Sequence, residues 1–231
     1  MHNLVLHTTE PREQLKQQAA AMSWTYAADL HRFGFSNMVP TNRLLKMYQQ
    51  GLAWEVMSYL DRIGVVPEAS VELITAHDVG GLFLGYVLYL PVPTHLDACG
   101  VTYMVVERRY RRQSIAKQMI ELIRARYPHI ELMCTPANVP FYQSIGFNIL
   151  GFESGQIVMN MRNYSCVGQI AIAKCDLFYN GDGANEIVSK LIEEHSVKVE
   201  YAENNRLKNI LLNYIVVLNR FTKPTAVTEA Q

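Results

Sequence analysis

Tyr110-Arg111-Arg112-Gln113-Ser114-Ile115-Ala116 stands between an apolar run at residues 101–106 and a helical stretch that reaches Arg126. No other segment restricts the fold as much. A strand that passes through a short loop into a helix leaves several backbone N–H groups unpaired, all pointing one way beside the positive end of the helix dipole. Such a corner suits phosphate. Arg108, Arg109, Arg111, Arg112 and Lys117 surround it, so a polyanion would meet directed N–H donors and side-chain charge together. The expected occupant is a pyrophosphate. Between residues 108 and 126 seven Lys/Arg face a single acid, Glu121, whereas over the whole chain 21 cations balance 21 anions. The positive field is therefore local, and no global charge draws the protein to nucleic acid or anionic lipid.

A length of 231 residues accommodates one large domain, or one domain and an appendage. Cys99, Cys134, Cys166 and Cys175 form no C-x-x-C pair and lie at no metal-site spacing from histidine, so no metal is expected and the thiols read as buried groups of a reducing compartment. Residues 1–12 lack the basic start and apolar core of a secretion signal, and the apolar stretch 79–91 is too short to cross a bilayer as a helix. The expectation is a cytoplasmic protein without a membrane partner.

Hydrophobic periodicity predicts a brief strand at 4–7, then a helix started by Thr8 or Thr9 with Pro11, striped by Leu15, Ala19, Met22, Tyr26 and Leu30 and ending near Gly34. A second long helix follows Thr41, with Leu45, Tyr48, Leu52, Val56, Tyr59 and Ile63 on one face. Strands are expected at 71–76 and 82–90, joined by a turn at His77-Asp78-Val79-Gly80-Gly81, and at 101–107. A helix over 114–127 presents Ile115, Met119, Ile120, Leu122 and Ile123 to a sheet, while Arg124 and Arg126 decorate its surface. The non-alternating run 130–134 reads as an interior parallel strand. A short helix at 139–145 and a hairpin of 147–152 with 156–162 complete a domain over residues 1–163. The fold class is α+β, a central mixed sheet flanked by helices. Residues 164–231 read as a C-terminal α/β extension: a strand at 168–173, a turn at 180–183, a helix ending near His195, and a last helix. The last helix carries Leu207, Ile210, Leu211, Tyr214, Ile215 and Leu218 on an apolar face wide enough to be covered by the main domain or by a second subunit in a homodimer. Residues 223–231 read as a loose tail.

In this order of elements, Val106-Glu107-Arg108-Arg109-Tyr110-Arg111-Arg112-Gln113-Ser114-Ile115-Ala116 resembles the acyl-CoA loop of the GNAT superfamily of N-acyltransferases. Arg111, Ser114 and Ala116 match the anchors of its Arg/Gln-x-x-Gly-x-Gly/Ala pattern, with serine in the usual glycine position. Downstream, Phe141-Tyr142-Gln143-Ser144-Ile145-Gly146-Phe147 resembles the family's Phe-Tyr-x-x-x-Gly-Phe segment. The resemblance spans about residues 4–162. It implies acetyl-CoA as acyl donor, with Arg111, Arg112, Gln113, Ser114, Ile115, Ala116 and Lys117 at the phosphates and the backbone of Met104, Val105 and Val106 at pantetheine and carbonyl. Thr135 holds the place, seven residues before Tyr142, where the family commonly has an asparagine, and Asn138 follows three residues later; either is a candidate for pantetheine contact.

Acyl transfer from a thioester to an amine needs a neutral nucleophile, polarisation of the carbonyl and a proton for the departing thiolate. The resemblance makes Tyr142 that acid. Glu107, at the strand end, reads either as a general base acting through water or as an ion-pair partner of the arginines beside it. Tyr26, Phe33 and Phe35 are candidates to line the acceptor pocket. The acceptor expected is a small amine or a protein amino group. Two other readings stay open: a GNAT-like enzyme acting on a DNA base or a tRNA-linked amine, with the arginines on the phosphate backbone, and a degenerate GNAT fold kept as a non-catalytic binding module.

Overall fold

The computed structural model describes residues 2–30, 45–66, 70–153 and 156–173, all within a compact unit spanning Met1–Lys174. Its centre is a seven-stranded mixed sheet in the order β1-β2-β3-β4-β5-β7-β6, with β1 His2–His7, β2 Glu72–Asp78, β3 Phe83–Val92, β4 His95–Val106, β5 His129–Cys134, β6 Asn148–Glu153 and β7 Gln156–Asn160. Helices α1 Glu13–Thr25, α2 Ala27–Leu30 and α3 Leu45–Leu60 supply one apolar layer; α4 Ile115–Arg126 and α5 Val139–Ser144 supply the other. The α+β class expected from the sequence is the class observed.

Alternation along the central strands builds both layers at once. Leu88 and Leu90 of β3 join Leu52, Val56 and Tyr59 of α3 in one cluster, while Val87 and Tyr89 join Ile115, Met119, Ile120 and Ile123 of α4 in the other. Burial of this kind on both faces supplies most of the stabilisation, at about 25 cal/mol per Å² of apolar surface removed from water.

Most elements lie where periodicity puts them, and the departures have local causes. The first helical stripe breaks at Tyr26, the residue that ends α1 with its N–H on the Met22 carbonyl. Tyr26 leaves helical geometry, and its hydroxyl accepts the N–H of Arg108 at 2.8 Å. The sequence places the helix start at Thr8 or Thr9, but Arg12 is the N-cap and Glu13 the first helical residue, favourably placed at the positive end. β4 starts at His95, six residues earlier than its apolar core suggests, because residues 93–94 turn the chain so tightly that His95 already pairs with Val92. The strand expected at 168–173 does not form; Ile170, Ile172 and Ala173 pack against the α1/α3 layer without entering the sheet. Residues 31–44 and 174–231 lie outside the described residues, and with them Phe33, Phe35, Cys175, the turn at 180–183, the two C-terminal helices and the tail. Cys99, Cys134 and Cys166 are free thiols.

β5 runs parallel to β4, as its unbroken apolar pattern implies. The turn between β2 and β3 is organised by Asp78, whose carboxylate accepts the N–H groups of Gly80 and Leu82, both at 2.8 Å. The far end of α4 is anchored by a buried carboxylate. Glu72 accepts Tyr89 Oη at 2.6 Å, Arg126 Nη2 at 2.8 Å and Tyr127 Oη at 2.9 Å. Arg126 therefore fastens α4 to β2 and is no mere surface decoration. With its C-terminus fixed in this way, α4 holds its N-terminus at a set place beside β4.

Candidate active site

β4 and β5 begin side by side and then part. Their parallel pairing runs from Ala98 with His129 to Val101 with Leu132. Continued, the register would match Thr102 with Met133 and Tyr103 with Cys134, but from there β4 pairs with β3 alone and β5 with β7 alone. A cleft opens between two backbones whose facing N–H and C=O groups lack ladder partners.

The ladder with β3 decides which groups face the cleft. The Glu107 N–H donates to the Leu84 carbonyl at 2.8 Å, and the register sets Val106 against Gly85 and Val105 against Tyr86. In an antiparallel pair, bonding toward a given neighbour alternates residue by residue. Val105 is thus tied into β3, while the main-chain groups of Met104 and Val106 turn toward the parting β5. The side chains of Met104 and Val106 lie on the α4/α5 face, in the apolar cluster that also holds Tyr142.

The loop after β4 enters α4 through two residues in left-handed geometry, Arg112 at φ 63° and Ser114 at φ 62°. Ser114 is the N-cap, yet its hydroxyl makes no capping bond. The helix closes with Gln118 N–H on the Ser114 carbonyl at 2.9 Å. Among the described residues, the N–H groups of Ile115, Ala116 and Lys117 therefore have no intrahelical acceptor, as in any helix first turn. Arg112, Gln113, Ser114 and Lys117 are exposed around them, and the Ile115 side chain is buried beneath.

Backbone geometry favours glycine over serine at the Ser114 position. A left-handed residue with a Cβ is disfavoured by about 1 kcal/mol. Ser114→Gly should therefore raise stability by about 0.5–1 kcal/mol, roughly 1–4 °C for a chain of this size, even though the unfolded state gains freedom. Differential scanning calorimetry checks this; an unchanged or lowered melting temperature would mean that the serine hydroxyl has a role the geometry does not reveal.

Arg111 behaves differently from its neighbours. Its Nε donates to the Val106 carbonyl at 3.0 Å, Nη2 donates to Asp29 Oδ2 at 2.8 Å, and the guanidinium lies 4.9 Å from the centre of the Tyr26 ring. Arg109 approaches Glu107 at 3.8 Å, so Glu107 is at least in part the ion-pair partner that one reading of the sequence expects. Arg108 lends its N–H to Tyr26.

Across the cleft, β5 continues through a short turn at Pro136–Asn138 into α5. Thr135 accepts the Asn138 N–H at 2.9 Å, and the exposed Asn138 side chain makes no capping bond. Tyr142 is 8% exposed, packed edge-on against Phe141 and Phe147 with centroids 5.1 and 5.4 Å away. Burial, and then the nearby Cys134, push its phenol well above the usual range, so Tyr142 stays protonated and able to donate. Among the described residues its hydroxyl has no hydrogen-bond partner. The sequence names these side chains but misses Asp29, which lies 82 positions from the arginine it meets and belongs to no local pattern.

Residues 70–149 match the family model of the acetyltransferase (GNAT) domain, a span from the approach to β2 to the start of β6, within the range over which the sequence motifs resemble that family. No curated protein matches the chain. Among solved structures it is similar to a GNAT-family acetyltransferase of Staphylococcus aureus Mu50, at 12% identity and TM-score 0.46 over 70% of this chain and 100% of that one. An acyl-CoA N-acyltransferase of Pseudomonas aeruginosa is similar at 16% identity and TM-score 0.45, over 70% and 100%. An aminoglycoside 6'-N-acetyltransferase complexed with coenzyme A is similar at 14% identity and TM-score 0.48, over 68% and 95%.

Proposed function

We propose that the protein is an acyl-CoA-dependent N-acyltransferase, with acetyl-CoA as donor and a small amine or protein amino group as acceptor. The observation that carries this reading is the parting of β4 and β5 beside the N-terminus of α4. One place thus offers a slot lined by main-chain groups that lie outside the strand ladder and, next to it, a helix start able to receive phosphate. A pantetheine arm with a diphosphate at its end fits both halves, and the match to the acetyltransferase domain model supports the same assignment.

When bound, acetyl-CoA supplies a thioester whose carbonyl an amine can attack. In this reading the N–H groups of Met104 and Val106 serve the pantetheine amides and the carbonyl oxygen, where negative charge develops. The N–H groups of Ile115, Ala116 and Lys117, with the charges of Arg112 and Lys117, hold the diphosphate. Gln113, Ser114, Thr135 and Asn138 complete the donor-binding set in this reading. Glu107 takes the proton that the attacking amine must shed, through water, and Tyr142 gives one to the departing sulfur. Carbon–nitrogen bond formation and carbon–sulfur cleavage then leave an amide and a free thiol, with protons balanced.

The test needs no knowledge of the acceptor. A ligand held by the folded state alone stabilises it by about 2.7 kcal/mol at a hundredfold excess over its Kd. Acetyl-CoA should therefore raise the melting temperature by several degrees, and adenosine 3',5'-bisphosphate by less, since it lacks the arm. An unchanged melting temperature at millimolar acetyl-CoA would overturn the proposal.

A further inference from the structure

The last peptide unit of β4 is pinned from two sides. Its N–H, that of Glu107, donates to Leu84 at 2.8 Å, and its carbonyl, that of Val106, accepts Arg111 Nε at 3.0 Å. The second contact stands where β5 would have been, since β5 has already parted from β4. Arg111 thus replaces a missing strand at the mouth of the cleft.

What holds Arg111 there comes from the other layer. Asp29 of α2 takes Nη2 at 2.8 Å, and Tyr26, at the break between α1 and α2, lies under the guanidinium while its hydroxyl takes the Arg108 N–H. The Arg111–Asp29 pair is exposed, at 39% and 56% for the two side chains, so it contributes little to global stability. Its effect is directional. A planar guanidinium held over a ring and gripped by a carboxylate has its third edge aimed, and that edge meets Val106. A side chain reaching out to a diphosphate would have to give up one or more of these contacts.

We infer that Arg111 and Asp29 are positioning residues of the acyl-donor cleft, which act through the Val106 carbonyl and leave the diphosphate to the α4 N-terminus, Arg112 and Lys117. The inference rests on the acyl-CoA reading for the identity of the cleft, but the pinning itself can be tested without coenzyme. In the free protein, Arg111→Met and Asp29→Asn should each speed hydrogen exchange at the Glu107 amide about tenfold, while amides in the middle of β3 stay unchanged. Unchanged exchange at Glu107 overturns the inference.

Binding provides the second arm. Acetyl-CoA is compared with S-acetylpantetheine, which keeps the thioester and the arm but has no diphosphate. A positioning role predicts that Arg111→Met weakens both donors by the same factor, on the order of tenfold, and that Asp29→Asn weakens both by a smaller common factor. Arg111→Lys should not restore affinity, because a point charge cannot reproduce the fork. A loss confined to acetyl-CoA, or full rescue by lysine, makes Arg111 a phosphate ligand and overturns the inference. If the wild-type protein binds neither donor, the coenzyme reading falls and the cleft role with it, a failure told apart from the others because the exchange result at Glu107 stands independently.

Discussion

Gly85→Ala is expected to destabilise the protein by about 3 kcal/mol, at the upper end of overpacking effects, and to impair acetyl-CoA binding more than other substitutions of similar cost. A Cβ at this position would stand 2.5 Å from the Val105 carbonyl oxygen and 3.0 Å from the Val106 Cα. Both are backbone atoms and cannot rotate aside, so β4 must move. Elsewhere in a strand, alanine would gain about 0.5–1 kcal/mol over glycine from reduced freedom of the unfolded chain; here that gain is outweighed. The displacement would fall on the pair Gly85–Val106, where β3 is the strand that still supports β4. Urea unfolding should show a lower midpoint at unchanged slope, and calorimetry a weaker Kd for acetyl-CoA. If Gly85→Ala is as stable as wild type, β3 does not approach the end of β4 as closely as the structure has it.

The tight contact at Gly85 also marks the boundary of what was legible in the sequence. The strand, loop and helix around Arg111 could be read because their signals are local: an apolar run, a cationic loop and a 3.6-residue stripe within some twenty-five positions. The short helix expected at 139–145 is likewise found, at Val139–Ser144, and Gly146 just beyond it adopts φ 97°. Sheet order could not be read in this way. β7 lies between β5 and β6, and nothing in the hairpin's composition states which of its strands turns inward. Nor could the divergence of β4 from β5 be derived, because a strand that loses a neighbour keeps the same residues. The break at Tyr26 was hidden for a related reason. Its helical stripe continues unbroken through Leu30, and the contacts that Tyr26 makes at the bend are with the distant Arg108 and Arg111. Misplacement of a strand at 168–173 has the opposite origin: Ile170 and Ile172 alternate as a strand would, but packing on a helix layer satisfies that alternation as well as a ladder does.

Tyr142→Phe should lower kcat by about a hundredfold, the smaller end of what general acid–base catalysis contributes, and leave acetyl-CoA affinity within about twofold. The separation follows from where the hydroxyl sits. The ring supplies the packing, against Phe141 and Phe147, and phenylalanine keeps it. The hydroxyl has no hydrogen-bond partner among the described residues, so its loss leaves no orphaned protein group behind, and the stability change should stay below about 1 kcal/mol. A decline in turnover without a decline in stability or binding is the signature of a group that works only as the reaction proceeds. The pH profile offers an independent check. An exposed tyrosine ionises near pH 10 and would cease to donate there. Burial raises the Tyr142 phenol above that range, so the wild-type rate should show no fall near pH 10 traceable to this residue. If Tyr142→Phe turns over at the wild-type rate, the proton for the departing sulfur comes from elsewhere, and Tyr142 is only a core aromatic.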